Sequence, residues 1–253
     1  MATALGSGLG SALRRWTPGA LYGAPLRWTT PRLAGRSDRH HVALTLDDGP
    51  DPLSTPLVLR TLARHEVRAT YFLVGEHIAD NRALVEQMHA EGHELAVHGW
   101  THRSVVGLSR QRLRDDLERT CAAITQITGT RPRWHRPPFG ITTLASRDAA
   151  RDTGLTPVLW TAWGRDWSRW VGPAGITRRV ELTLRPGGTV LLHDTDRYAS
   201  PGSWRRTDAA LDTLLTRWAS SGVPVGPLAE HWSRDEVVPI SRCRPGPAGP
   251  PSP

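Results

Sequence analysis

The chain has 253 residues and a formal charge of +8, with 32 basic side chains against 24 acidic ones. Every basic residue is arginine, and the arginines are scattered singly, in pairs or beside acids, as in Arg112-Leu113-Arg114-Asp115-Asp116. A nucleic-acid partner requires charge gathered into a stripe or a run, so none is expected. The length suits one α/β domain, and no apolar run approaches the roughly 18 residues of a membrane span.

The two cysteines make no disulfide framework. Cys121 falls on the apolar stripe Leu113, Leu117, Cys121, Ile124 and reads as a buried core residue, whereas Cys243 sits among Pro and Gly. Residues 1–37 are acid-free and contain Trp16, Tyr22 and Trp28. They read as a basic arm packed on the domain, with a weak membrane-surface contact or an organelle transit peptide as competing readings. The positive-then-apolar order of a secretory signal is missing, so a cytoplasmic location is expected. The globular domain is assigned to 38–232 and a Pro-rich disordered tail to 233–253.

In chain order, the first strand is expected at His41 to Leu46. A helix follows from Thr55, with Thr55 as its N-cap and Pro56 in the first helical position. Ala69 to Val74 is the second strand, and the helix Asp80 to Glu91 stops at Gly92. Glu94 to Val97 is the third strand, and Ser109 caps a helix that ends before Gly129. Arg133 to Arg136 is a short fourth strand, followed by a helix from about Thr143 to Gly154. Thr156 to Ala162 is the fifth strand, with a helix at Ile176 to Leu184. Gly188 to Leu192 is the sixth, followed by a helix from Asp208 to Ser220, and Val223 to Val225 closes the series.

Strands that are apolar throughout, alternating with helices, imply a parallel sheet covered on both faces. A barrel of seven or eight strands is favoured over an open doubly wound sheet. Asp47-Asp48, His98, Arg136, Trp163 to Trp167 and His193 all follow directly after an expected strand, and in a barrel such positions converge on the C-terminal rim. No Gly-rich phosphate loop follows the first strand, which argues against a dinucleotide fold.

Each rim motif has a plain reading beside a chemical one. Asp47-Asp48-Gly49-Pro50 is strong turn chemistry, yet neighbouring carboxylates at a strand end face different ways and can serve different tasks. His98 and His102 share a face if their segment forms a helical turn. With a rim carboxylate they supply three metal ligands and leave positions open for water and substrate, the pattern of a catalytic metal. His193-Asp194 reads alone as an ordinary strand end, and Arg136-Pro137-Pro138-Phe139-Gly140 as a rigid turn around an Arg. Trp163 to Trp167 combines an acid with aromatics suited to sugar faces, against a half-buried loop as the plain reading.

Taken together, TLDDGP, HGWTH, RPPFG, RDW and LLH closely resemble the motifs of the polysaccharide deacetylase family (the NodB-homology domain, carbohydrate esterase family 4) from about Arg39 to His231. The resemblance implies a distorted (β/α)7-8 barrel, a divalent metal (zinc, with cobalt as the other choice) and removal of acetyl groups from N- or O-acetylated sugars. By motif position, it makes Asp48, His98 and His102 the metal ligands, Asp47 the general base and His193 the general acid. Arg136 would orient Asp47, and Asp166 would orient His193. Trp167 and Leu191 would wall the acetyl pocket, and the Phe139 backbone N–H would help hold the oxyanion. Departures are Leu46 and Phe139 at places where Phe and Tyr are common, Trp163 near the place of an additional acid, and His135 where an apolar residue is usual. The expected substrate is a small, lipid-linked or metabolite-borne N-acetylglucosamine-type sugar. The alternatives are a non-sugar amide and an inactive carbohydrate-binding protein on the same barrel.

Overall fold

The computed structural model describes residue 30 and residues 32–232. Most of the expected arm, with Trp16, Tyr22 and Trp28, and the expected tail, with Cys243, lie outside the described residues. The elements are β1 (Val42–Asp47), α1 (Thr55–Arg64), β2 (Thr70–Val74), α2 (Arg82–Ala90), β3 (Glu94–Gly99), α3 (Arg110–Thr128) and β4 (Trp134–His135). They continue as α4 (Leu144–Asp152), β5 (Thr156–Pro157), β6 (Ala162–Trp163), α5 (Pro173–Thr183), β7 (Thr189–His193), α6 (Ser203–Ser220) and β8 (Val225–Gly226). The strands pair in the order β5-β4-β3-β2-β1-β7-β6, and β8 joins the start of β1. Every pair is parallel.

The side-chain period of two divides each strand between two apolar clusters. Leu44, Leu46, Tyr71, Leu73, Val97, Val190 and Leu192 meet the helices through Val58, Leu62, Val85, Met88, Leu117, Cys121, Ile176 and Leu214. The alternate residues Ala43, Phe72, Ala96 and Trp134 fill the inside of the sheet, with Leu191 beside Trp160. Each such Leu or Val removed from water contributes about 1.5–3 kcal/mol, so both faces are needed. Cys121 is fully buried, as its place on the α3 stripe requires.

Several local signals act as expected. The Ser109 side chain accepts from the Arg112 N–H at the start of α3, and Gly129 ends that helix at φ +68°. Thr143 and Ser146 form a reciprocal capping box on α4. Others differ. Ser54, not Thr55, holds the N-cap position of α1. Asp51 Oδ1 accepts from the N–H groups of Leu53 and Ser54, leaving Thr55 to turn its hydroxyl inward. Helix α2 is preceded by two short 3-10 turns, and α5 begins at Pro173 rather than Ile176. Helix α6 starts at Ser203, well before Asp208, because Trp204 and Thr207 belong to its buried face.

The fifth strand is the main correction. Thr156 to Ala162 is not one strand but two two-residue strands on opposite edges of the sheet, β5 against β4 and β6 against β7. The intervening chain changes partner as it crosses: Val158 N–H donates to His135 and Thr161 N–H to Thr189, while Leu159 N–H donates to Leu33. Residues 156–163 thus bridge the gap between the two edges without pairing to each other, which is the distortion of this barrel. The segment around Leu33 to Ser37 packs beneath it, with Gly35 C=O accepting from the Thr189 hydroxyl at 2.6 Å.

Candidate active site

The C-terminal ends of β1, β3 and β7 deliver Asp47, His98 and His193 to one rim. Asp47 continues the inner face of β1. Asp48 adopts φ +84°, a left-handed conformation that a non-glycine residue rarely takes, and this turns its carboxylate away from that of its neighbour. Gly49 makes room behind them: a Cβ there would lie 2.5 Å from Asp194 Oδ2.

Asp48 Oδ1 lies 3.3 Å from His98 Nε2 and 3.3 Å from His102 Nε2. It is buried and has no hydrogen-bond partner. One ligand atom from each of the three residues lies within 4.8 Å of the others, a mixed N, N, O donor set suited to a divalent cation. The expected helical turn between the histidines is absent. His98 is the extra residue of a bulge where β3 pairs with β2, and His102 lies on a bend held by Arg103 N–H to Thr101 C=O. Their rings stack at 5.3 Å. Burial lowers the His102 pKa to about 4, against the attraction of Asp48, so the ring is neutral and has a lone pair to offer. At Asp48 burial opposes ionisation, but the surrounding imidazoles of His98, His193 and His102 outweigh it and hold the carboxyl below its ordinary range.

Arg136 is fully buried and reaches across the barrel, donating to Asp47 Oδ1 and Thr45 Oγ1, both at 2.7 Å, and to the carbonyls of Leu159 and Val158. Burial lowers its pKa and Asp47 counters that. Asp47 Oδ2 is left 3.9 Å from His98 Nδ1. Beside Arg136, His135 is buried on β4, and its Nδ1 lies 3.1 Å from Val97 C=O.

Asp166, also fully buried, accepts from the His193 backbone N–H at 2.8 Å, and His193 Nδ1 lies 3.1 Å from its Oδ1. Thr207 from α6 donates to Oδ2 at 3.0 Å. Burial works against charge on His193, yet Asp166, Asp48 and Asp47 raise its pKa to about 10. The Trp167 ring meets the His193 ring edge-on at 5.5 Å, and Leu191 lies two residues before His193 on the same face of β7. Phe139, at φ +61°, sets its ring edge-on against His102 at 4.6 Å. All ten residues singled out from the sequence therefore meet at this rim.

The structure adds residues to which the sequence assigned no role at the site. Tyr198, in the loop between β7 and α6, stacks on His102 at 4.1 Å and 13°, and its hydroxyl lies 2.8 Å from His77 Nε2. Thr55 donates to buried Asp194, which fixes α1 behind the acid pair. Thr207 binds Asp166, and Thr45, which opens the TLDDGP motif, binds Arg136. Hydroxyl residues on strands and helices carry no sequence signal of this kind, because their partners lie 91 and 41 residues away.

The family model for polysaccharide deacetylase matches residues 34–158. The chain is 35% identical over 201 residues to a chitooligosaccharide deacetylase of Bradyrhizobium, covering 77% of this chain and 91% of that protein. It is 33% identical over 192 residues to the peptidoglycan-N-acetylglucosamine deacetylase PgdA of Listeria monocytogenes, covering 76% of this chain. The chain spans about two fifths of that relative's length. A family 4 acetyl xylan esterase of Clostridium thermocellum, solved with a cobalt ion, superposes with a TM-score of 0.69 at 29% identity, covering 76% of this chain and 89% of that one. A family 4 pseudoenzyme from Bacillus anthracis gives 0.69 at 29%, covering 77% and 66%. A parallel α/β barrel with acids and imidazoles gathered on its C-terminal rim has its chemistry-bearing residues where barrel enzymes build their sites. The chain belongs to the polysaccharide deacetylase family, carbohydrate esterase family 4.

Proposed function

We propose that the protein is a metal-dependent N-deacetylase acting on an N-acetylglucosamine-type sugar. The observation that carries this reading is the unpartnered, buried Oδ1 of Asp48 facing the Nε2 atoms of His98 and His102, an arrangement that a divalent cation completes. Zinc is the first choice for this donor set and cobalt the second. Bound there, the cation supplies Lewis-acid polarisation of the amide carbonyl and lowers the pKa of a water molecule.

The remaining chemistry belongs to the side chains. Arg136 occupies Asp47 Oδ1 and leaves Oδ2 to accept the proton of the attacking water. Asp166 holds His193 through Nδ1, so Nε2 faces the site, 3.9 Å from Asp48 Oδ2. Asp166 at Nδ1 favours the protonated ring, and His193 donates its proton to the departing amine, which leaves poorly as an anion. The Phe139 N–H, presented by a left-handed turn, supports the oxyanion. Trp167 and Leu191 wall the space for the acetyl methyl.

The relative that acts on chitooligosaccharides supports these as the first substrates to test. Acetate release from chitooligosaccharides, intact chitin, peptidoglycan and an O-acetylated xylan, with and without added zinc or cobalt, tests the proposal. Metal-dependent acetate from the N-acetylated sugars is the expected result. Bound metal with no acetate from any of them would overturn it in favour of a binding protein of the pseudoenzyme kind.

A further inference from the structure

We propose that Trp163 forms the floor of the acyl pocket and limits the hydrolysed group to acetyl, an inference that rests on the deacetylase reading above. Strand register places it there. Trp163 on β6 pairs with Leu191 on β7, and Leu191 pairs with Thr45 on β1. Residues paired in this way point to the same face, so Trp163, Leu191 and Thr45 form one inward layer. The next layer toward the rim is Asp47 paired with His193. Trp163 therefore lies one layer beneath the acid-base pair, at the depth of the residue that walls the acetyl methyl.

The ring contacts agree. Trp163 lies 5.0 Å from Trp167, whose own ring meets His193, and 5.8 Å from Trp160. Trp163 also packs against the cluster of Leu159, Trp160 and Leu191. Trp160, Trp163 and Trp167 thus form a row of contacting indoles that runs from the Leu191 layer to His193. The next residue, Gly164, packs closely on α5, where a Cβ would lie 2.5 Å from Ile176. A rigid ring packed between two other indoles sets the depth. One methylene more or less in an apolar pocket changes turnover by roughly 10- to 200-fold, so an indole floor suffices to reject a longer acyl chain. Trp163 also stands near the place where motif four often carries an additional acid. This chain has put apolar bulk at the base of its pocket.

The experiment compares kcat/KM of the zinc-loaded full chain on chitobiose carrying N-acetyl, N-propionyl or N-butyryl groups. The wild type should prefer acetyl steeply. Trp163→Ala should raise the butyryl-to-acetyl ratio by at least about tenfold, with Trp163→Phe falling between. If Trp163→Ala does not fold, Trp163→Leu, which keeps an apolar side chain in the Leu191 layer, carries the same comparison. A purely structural role would lower all three substrates together. A folded variant with the wild-type ratio, or a wild type that takes butyryl as readily as acetyl, would overturn the inference and leave the deacetylase reading standing. A wild type inactive on every acylated sugar would overturn both.

Discussion

Asp47 and Asp48 are adjacent in the chain and alike in chemistry, yet their surroundings differ. Asp47 is bound to a buried guanidinium, and Asp48 is turned by its positive φ toward two imidazoles. Asp47→Asn is expected to keep metal affinity and lose about 10²- to 10⁴-fold in kcat, the usual cost of a missing general base. Asp48→Asn should lose metal affinity first and recover part of its activity in excess zinc. Calorimetric metal titration beside acetate release separates the two, and rescue of Asp47→Asn instead would exchange their roles. Arg136 carries a cost of another kind. Replacing it with Met leaves Asp47 charged, buried and unpaired, so urea denaturation should show a loss of about 3–5 kcal/mol. A loss below 1 kcal/mol would mean that solvent reaches Asp47.

At the scale of elements, the caps and glycine stops of α3 and α4 were legible because they depend on neighbours within four residues. Thr143→Ala should cost about 1 kcal/mol in stability through the lost capping box and leave kcat/KM unchanged. The apolar run of residues 156–162 gives no sign of where pairing ends, so it reads as one strand. Only the partners offered by β4 on one side and β7 on the other cut it into two. The loop after β7 was equally silent about Tyr198, whose ring covers His102. Removing it in Tyr198→Ala frees that imidazole to rotate, and zinc affinity measured by calorimetry should fall several-fold or more, in the range seen when groups that orient a ligand are removed. Tyr198→Phe retains the stacking and should stay near wild type. Equal losses in both variants would place the effect in the hydroxyl's contacts with His77 and Glu76 instead.

Across the whole molecule, the barrel is tied off at the end opposite the site. His41 Nδ1 lies 3.0 Å from His231 Nδ1, and His231 Nε2 lies 3.1 Å from Gly35 C=O, so this histidine pair joins both ends of the described chain to the strands. Glu230, Arg39 and the Arg68 bound to Glu230 face the same cluster. Burial lowers the His231 pKa to about 4 and lowers that of His41 as well, with Arg39 adding to the effect at both and Glu230 opposing it at His41. A histidine near pKa 6.5 when unfolded and about 4 when folded takes up its proton first in the unfolded state. Stability is then flat above about pH 7 and falls as the pH drops from about 6.5 toward 4, by on the order of 3 kcal/mol for His231. His231→Gln, which has an amide that can donate to Gly35, should show a shallower fall of melting temperature across that window. Parallel curves for the two proteins would mean that His231 is protonated in the folded state.

The class of fold, and the residues that the rim gathers, are legible in the chain alone. A strand's apolar run, a helix's cap and the order of five short motifs are local properties, and each is written within a few residues. The contacts of the rim residues depend on tertiary structure. It split residues 156–163 between two sheet edges, seated Trp163 in the layer of Leu191, stacked Tyr198 on His102 and bound Thr207 to Asp166. Each of these joins positions that the chain brings together only when the barrel forms, and no local pattern of residues encodes a partner so far away.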